Sequence, residues 1–437
     1  MNSSTVSFRR SLKLLVFVLL MGISVLTRAQ LPPSNVLLTE PRPALVAFGP
    51  VDIHVRASAS FIYDDNISLH DPPRSTATGI GVPKGQEPLG DDFIFTFSPG
   101  IIIAKPTTLQ DSRTAFSLDY SPSFIFFLKN DEESSIDQSV KAEAGYAFTK
   151  LTLGVVQNFA ETAGGVVDVG TRVDQKSYQT AANARYEMTE KTFLQIDGSY
   201  RLTDYETLTD SDEWSVTPTV NYQISPKVTL GLGVTYGQLS VSDQTTHVVT
   251  NVTANATNTN TFVTEKESTQ DYIGPTLRAS YRTTEKTDIS LSVGVEYRQY
   301  SDGSSSWSPV FSLAGSYRPF EGTSFTIEGH RREQNSAVVN GANFISTGVS
   351  LSARQRLRER LFGTISASYD NADYEPVQRN VSVTRQDDYF LLRYGVEAIV
   401  GRSWTIGLFH QYREDKSTDK SFSFSNNQVG IQAAWGR

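Results

Sequence analysis

The sequence predicts an all-β protein, a transmembrane antiparallel up-and-down β-barrel of about 18 strands (16–18). Three observations carry this. Strand-like stretches alternate apolar residues with small or polar ones, a hairpin unit recurs along the chain, and the connections are short and long in strict turn. The stretch "YQISPKVTLGLGVTYG" (222–237) shows the first. Val228, Leu230, Leu232, Val234 and Tyr236 fall on one face, and Thr229, Gly231, Gly233 and Thr235 on the other. An apolar face backed by a nearly bare one suits a strand with lipid outside and a lumen inside.

From the N-terminus, "SFRRSLKLLVFVLLMGISVLTRAQ" places Arg9, Arg10 and Lys13 before an apolar run and a small-residue site. This predicts a signal peptide over 1–29, cleaved near Ala29-Gln30, with a retained anchor as the alternative. Residues 30–50 form a Pro-rich periplasmic lead and 51–437 the barrel. Without 1–29 the chain keeps 35 basic against 47 acidic residues, a net charge of −12, which argues against a nucleic-acid partner. There is no cysteine, so neither disulfides nor thiolate metal sites are available. Beyond the leader no stretch approaches 18 consecutive apolar residues, which excludes a helical membrane protein.

The hairpin unit recurs as "YAFTKLTLGVVQNF" (146–159), "YEMTEKTFLQIDGSYR" (186–201), "YRTTEKTDISLSVGVEYR" (281–298) and "YRPFEGTSFTIEGHRR" (317–332). Each is an aromatic, a tight polar turn and an alternating strand. The predicted strands are 53–69, 91–105, 112–128, 136–148, 151–161, 174–188, 192–204, 211–224, 228–239, 270–282, 287–300, 305–318, 323–332, 344–357, 361–370, 385–400, 404–414 and 421–435. Turns such as 149–150, 225–227 and 401–403 are short; those alternating with them, such as 70–90, 240–269 and 371–384, are mostly longer and polar. A sandwich has no reason for that alternation, whereas an outer-membrane barrel has short periplasmic turns and long external loops. Lipid offers no partner to an open edge, so the sheet must close.

Tyr146, Tyr186, Tyr222, Tyr281 and Tyr317 precede short turns, and Tyr200, Tyr236, Tyr297, Tyr369 and Tyr412 lie near the opposite strand ends. Two levels of tyrosine predict the two interfacial girdles. Pro99, Pro122, Pro218, Pro275 and Pro309 resist the scheme, because each removes a ladder donor; bulges or early strand ends are expected there. The Thr/Asn-rich stretch "TTHVVTNVTANATNTNTFVT" (245–264) reads as a long mobile loop, with a lumenal constriction as the alternative. "GIGVPKG" (79–85) lacks the strand-then-helix context of a phosphate loop and reads as an external loop.

No catalytic constellation emerges. The five histidines are scattered, and His330 beside Glu328 reads as a structural or lumen-lining pair. No metal site or cofactor is expected. On the lumenal face basic groups outnumber acidic ones, and Arg201, Arg278, Arg298 and Arg393 are the expected contributors to a mild preference for anionic or heavily hydroxylated solutes. Pairing of these charges across strands, merely stiffening the wall, is the competing reading.

"SASFIYDDNISL" (58–69), with its Asp64-Asp65-Asn66 strand end, and "DDFIFTFSPGIII" (91–103) resemble the opening motifs of the putative β-barrel porin family associated with exopolysaccharide gene clusters. The resemblance continues through the Lys/Thr turn repeats. It implies an outer-membrane barrel serving polysaccharide export, with no catalytic residue to carry over. Asp64, Asp65 and Asn66 read as the polar external rim of the first strand, with calcium capture by the acidic pair as a lesser alternative. The chain ends "VGIQAAWGR", so Trp435 stands two positions before the end, where resembling barrels carry a terminal aromatic for the insertion machinery. The expected partners are outer-membrane lipid, the barrel-insertion machinery, and polysaccharide or its export apparatus. The alternative is a docking barrel whose external loops bind surface glycan or an assembly partner.

Overall fold

A computed structural model describes residues 45–69, 90–105, 113–166, 168–169, 171–206, 208–253, 256–284, 286–339, 341–377 and 383–436. The expected signal peptide, most of the expected 30–50 lead and "GIGVPKG" lie outside them. A short strand β1 (Val46–Phe48) precedes the barrel strands. These are β2 (Val51–Asp64), β3 (Asp92–Lys105), β4 (Thr114–Phe127), β5 (Ser135–Ala147), β6 (Leu151–Val166), β7 (Thr171–Glu187), β8 (Thr192–Tyr205), β9 (Asp210–Ser225) and β10 (Val228–Thr253). They continue as β11 (Ala256–Thr284), β12 (Thr287–Tyr300), β13 (Ser305–Tyr317), β14 (Thr323–Asn335), β15 (Ala342–Arg358), β16 (Leu361–Pro376), β17 (Gln386–Val400), β18 (Trp404–Ser417) and β19 (Phe424–Gly436).

Each strand pairs antiparallel with the next, and β19 returns to β2 from Gln428↔Asp64 to Gly436↔Arg56, closing a barrel of 18 strands. Below that seam β1 continues along the same edge of β2, from Val46↔Ile53 to Phe48↔Val51. Part of the N-terminal lead thus covers strand edge that β19 is too short to reach. At a strand spacing of about 4.8 Å and a tilt of about 40°, 18 strands enclose a backbone cylinder about 35 Å across. That is wide enough for an aqueous lumen.

The two faces separate as the alternation requires. Leu230, Leu232, Val234 and Tyr236 are exposed outward, Leu232 at 66%, while Gly231 and Gly233 are buried inward. Tyr146, Tyr186, Tyr222, Tyr281 and Tyr317 are exposed on the outer face near the short turns. Tyr236, Trp307 and Tyr369 form the other level, where Tyr236 meets Trp214 at 5.4 Å and Trp307 meets Tyr297 at 4.9 Å between ring centroids. The Trp residues join the girdle because their rings also seek the boundary between hydrocarbon and water.

Pro99, Pro122, Pro218 and Pro275 interrupt the ladder without shifting it, where bulges or strand ends had been expected; beside Pro309 the pairing of β13 with β14 does end early, at Phe311. Pro99 and Pro122 lie opposite each other in a lapse between Phe97↔Phe124 and Ile101↔Tyr120, after which pairing resumes in the same register. Pro218 sits in a gap between Thr219↔Gly233 and Val216↔Tyr236, and Pro275 between Ile273↔Tyr297 and Thr276↔Gly294. A missing donor breaks one or two bonds, but the packed faces on either side hold the register. The register shifts fall beside the short turns instead, at Val228/Thr229, Arg282/Thr284 and Arg356/Arg358.

The 240–269 stretch departs from the mobile loop expected. Strands β10 and β11 stay paired to Thr253↔Ala256, although β9 leaves β10 at Ser242 and β12 leaves β11 at Gln270. A two-stranded ribbon therefore runs about 11 residues, roughly 37 Å, past its neighbours. Threonine and valine favour extended backbone, so a sequence that reads as low complexity still forms a hairpin. With the short turns in the periplasm, protease added to intact cells is expected to cut this ribbon and spare Ser225-Pro226-Lys227; cleavage at the turn would reverse the orientation.

Candidate functional site

The lumenal face of β11–β15 carries an in-register row of small and polar residues: Ser280↔Ser290, Ser290↔Ala314, Ala314↔Glu328 and Glu328↔Ser350. Ser280, Ser290, Ser312, Ala314 and Ser352 are solvent-exposed although they point inward. On the short-turn half the lumen is therefore open to solvent. Toward the external end of the same wall, Gln270, Arg298 and Ser308 are nearly fully buried, at 2%, 2% and 3% exposure. Something covers them.

The cover is the end of the β14–β15 hairpin. On these strands the odd-numbered residues face lipid near the short turn, where Phe325, Val349 and Leu351 are exposed. At the other end of that face Glu333 and Asn343 are buried against lumenal groups of β11 and β12. Asn343 Nδ2 donates to Gln270 Oε1 at 2.7 Å and to Glu333 Oε1 at 2.6 Å. Tyr300 Oη donates to Glu333 at 2.8 Å, and Arg298 Nη1 to Gln270 Oε1 at 3.0 Å. A face that touches lipid at one end and the lumenal wall at the other belongs to a hairpin bent into the barrel. The ladder agrees, since β13 pairs β14 only between Phe311 and Tyr317, leaving the end of β14 free to turn inward. Pro309 lies on β13 just beyond that last pair.

The infolded tip meets the far wall. Asp168, in the turn between β6 and β7, accepts from Ala337 N at 2.8 Å, Ser336 Oγ at 3.2 Å and Tyr374 Oη at 2.6 Å. Arg385 Nη1 stands 3.8 Å from Asp168 and pairs with Asp387 at 2.6 Å, while its guanidinium lies 3.5 Å from the Phe422 ring centroid. Burial works against the Arg385 charge, but Tyr374, Asp387 and Asp168 hold its pKa above the ordinary arginine value. Thr209 N, from the turn between β8 and β9, donates to Ala337 O at 3.1 Å. Strands β6 and β15 are nine apart in a ring of 18, so this contact bridges the external mouth from wall to wall.

The four arginines singled out from the sequence all point inward. Arg278 pairs with Asp197, Arg298 Nη2 with Glu296 at 2.7 Å, and Arg201 Nη1 lies 4.0 Å from Glu213. These three are held by carboxylates of the wall. Arg393 differs: it donates to Gln411 Oε1 at 3.2 Å and stacks 3.7 Å over Phe409, with no ion pair among the described residues. Arg185 over Phe193 and Arg354 over Phe362 repeat the stacking, at 3.6 and 3.7 Å, but both arginines also pair with a glutamate.

Asp64, Asp65 and Asn66 fasten the barrel's closing seam. Asp64 accepts from the Asn426 and Gln428 side chains at 2.5 and 2.6 Å, and Asp65 from Asn427 N and Nδ2 at 2.6 and 2.9 Å. Asn66 Nδ2 donates to Ser425 O at 2.9 Å. First and last strands are thereby locked at the external rim. Leu69, in a left-handed conformation with φ 57°, then drops inward onto Tyr389 and Phe424. Burial of its side chain at 1% exposure offsets that backbone strain. Among the described residues no group of three or more His, Asp and Glu could hold a metal ion.

His330 does not pair with Glu328 but with Ser346 Oγ at 3.0 Å and Asp370 Oδ1 at 3.1 Å. Both partners approach the same ring nitrogen, Nε2, whereas a catalytic relay needs serine and carboxylate on opposite nitrogens. Asp168, Ser336, Tyr374 and Arg385 were not legible as a site. Asp168 lies 168 positions from Ser336 and 206 from Tyr374, and no local spacing signals such a contact.

Residues 284–435, the strands β12–β19, match the family described as putative beta-barrel porin 2. The motifs at 58–69 and 91–103 that first suggested such a family lie outside the matched segment. No curated protein matches the chain. Among solved structures, the outer membrane protein OpdK from Pseudomonas aeruginosa shares 12% identity, with 88% of this chain and 98% of that one covered and a TM-score of 0.42. OccAB3 from Acinetobacter baumannii shares 9%, with 88% and 99% covered and a TM-score of 0.42. The ferric citrate transporter FecA shares 10%, with 88% and 79% covered and a TM-score of 0.44. The closed barrel, its lipid-facing band and the family match together describe a porin-like barrel of the outer membrane.

Proposed function

We propose that this barrel conducts a hydrophilic polymer, an exopolysaccharide, from periplasm to cell surface, and that the infolded β14–β15 end is its external gate. The observation that carries the reading is the asymmetry of the lumen. Inward serines are wet on the periplasmic half, while a polar bridge crosses the external mouth. Serine hydroxyls and arginine forks can exchange hydrogen bonds with sugar hydroxyls at little net cost, which suits a solute that must slide rather than stay.

In a planar bilayer the wild-type protein is expected to be mostly silent, and a variant without the bridge to show open steps. Silence of both would sink the conduit reading and favour a docking barrel. In the opened channel a salt gradient should show mild anion preference, and Arg393→Gln should bring the reversal potential close to zero. That follows because Arg201, Arg278 and Arg298 are ion-paired with carboxylates of the wall, whereas Arg393 forms no ion pair among the described residues and the nearby Glu397 is paired with Arg354. Cation preference in the unsubstituted lumen would refute it.

A further inference from the structure

All eight short turns of the barrel carry a basic residue at or beside the tip. They include Lys150, Lys191, Lys227, Lys286 and Arg402, Arg318 at the start of the β13–β14 turn, and Arg358 with Arg360 across the β15–β16 turn. Lys105 and Arg113 flank the remaining one. All but Lys105 are exposed. Lys150, Lys191, Lys227, Arg358 and Arg402 form no ion pair among the described residues, and Lys150, Lys227 and Arg402 have no acidic residue in their turns. Asp111, Glu190, Glu285, Glu321 and Glu359 share five of these turns, so the ten basic residues outnumber five acidic ones in a chain that is acidic overall, and acidic residues also gather at the other end, as in Asp131-Glu132-Glu133 and the neighbours Asp387 and Asp388.

Successive periplasmic turns are two strands apart, about 12 Å around the rim at ordinary spacing and tilt. That exceeds the screening length in physiological salt, roughly 8 Å, so the turns act as a ring of separate cationic sites, a collar whose members a long polymer can touch together. The collar surrounds the end at which the lumen is open to water.

We infer that this collar is a capture site for a polyanionic polysaccharide, one bearing carboxylate, phosphate or sulfate groups, arriving from the periplasm. The inference rests on the conduit reading and adds the charge of the solute and the end at which it enters. A flexible polyanion touches several turns at once, so each weak contact raises the local concentration for the next. Binding releases counterions and should weaken steeply with salt. A neutral glycan gains none of this.

The test uses the full barrel in zwitterionic phosphatidylcholine nanodiscs, with labelled dextran sulfate as probe, neutral dextran of equal length, and polyglutamate. A variant combines Lys150→Gln, Lys191→Gln, Lys227→Gln, Arg358→Gln and Arg402→Gln. Its folding is checked by heat-modifiable migration, and single substitutions stand in for it if it fails to insert. Dextran sulfate is expected to bind the wild type, at least tenfold less tightly to the variant, and less with added salt; neutral dextran should not bind. Three results would overturn the inference. Dextran sulfate binding could be unchanged in the variant. Polyglutamate could bind through the collar where dextran sulfate does not, marking a dock for an acidic protein. The variant could lose only co-purifying anionic phospholipid, assigning the collar to lipid headgroups. If the collar binds but the bridge-free barrel never conducts, the conduit reading fails alone; if it conducts and the collar is inert, only the collar does.

Discussion

Asp168→Ala combined with Arg385→Ala is expected to open the barrel. In wild type Asp168 accepts three hydrogen bonds from the opposite wall, from Ala337 N, Ser336 Oγ and Tyr374 Oη. Hydrogen bonds to a charged group contribute roughly 1.5–3 kcal/mol each. The side chain is 12% exposed, so solvent weakens them only in part. Losing even about 1.4 kcal/mol shifts a two-state equilibrium tenfold. The open fraction should therefore rise at least tenfold, read as single-channel open time and as entry of a bulky hydrophilic dye into intact cells. A reversible control is available because the chain has no cysteine. Asp168→Cys with Ser336→Cys should hold the channel shut when oxidised and release it on reduction. If the double alanine variant conducts no more than wild type, the bridge is a structural brace and not a gate.

Leu232→Arg should be the most damaging single change on the lipid face. Leu232 is 66% exposed and lies between the level of Tyr222, which pairs opposite Leu230, and that of Tyr236, so an arginine there meets hydrocarbon. The expected loss is about 2–4 kcal/mol of barrel stability, measured by urea unfolding in lipid vesicles. Thr229→Ser, on the lumenal face, should be nearly silent and serves as the control. Gly233→Ser, an equally small change by sequence, cannot serve. A Cβ at Gly233 would meet the Pro218 carbonyl oxygen at 2.8 Å and Thr219 Oγ1 at 2.6 Å. Equal losses at Leu232 and Thr229 would mean that the two faces had been exchanged.

Most of the barrel was legible before the structure. Alternation between Val228 and Tyr236 reported which residues meet lipid, because a strand's side chains change faces at every step whatever lies around them. The strict succession of short and long connections reported the topology, because each hairpin is local in sequence. The tyrosine levels followed from the same local logic. At the prolines bulges or early strand ends were expected; an early end is found beside Pro309, but the register kept across Pro99, Pro122, Pro218 and Pro275 was not foreseen. It depends on the packing of two whole faces and not on the residue that breaks the bond.

The candidate gate was invisible for a different reason. Alternation continues unbroken through Glu333 and Asn343, and read alone it assigns them to the outside. Only the end of β13–β14 pairing beyond Phe311 and Arg331 turns that face into the lumen, and this depends on which neighbouring strand is absent. The same holds for Asp64-Asp65-Asn66, readable as a rim but not as the lock on strand β19, whose partners lie about 360 residues away. By itself the sequence determined the strands, their order and their two faces, since each depends on neighbours along the chain. The tertiary structure alone decided which strand ends leave the wall, which charges are neutralised and what crosses the mouth, since those depend on groups that only barrel closure brings within hydrogen-bond reach.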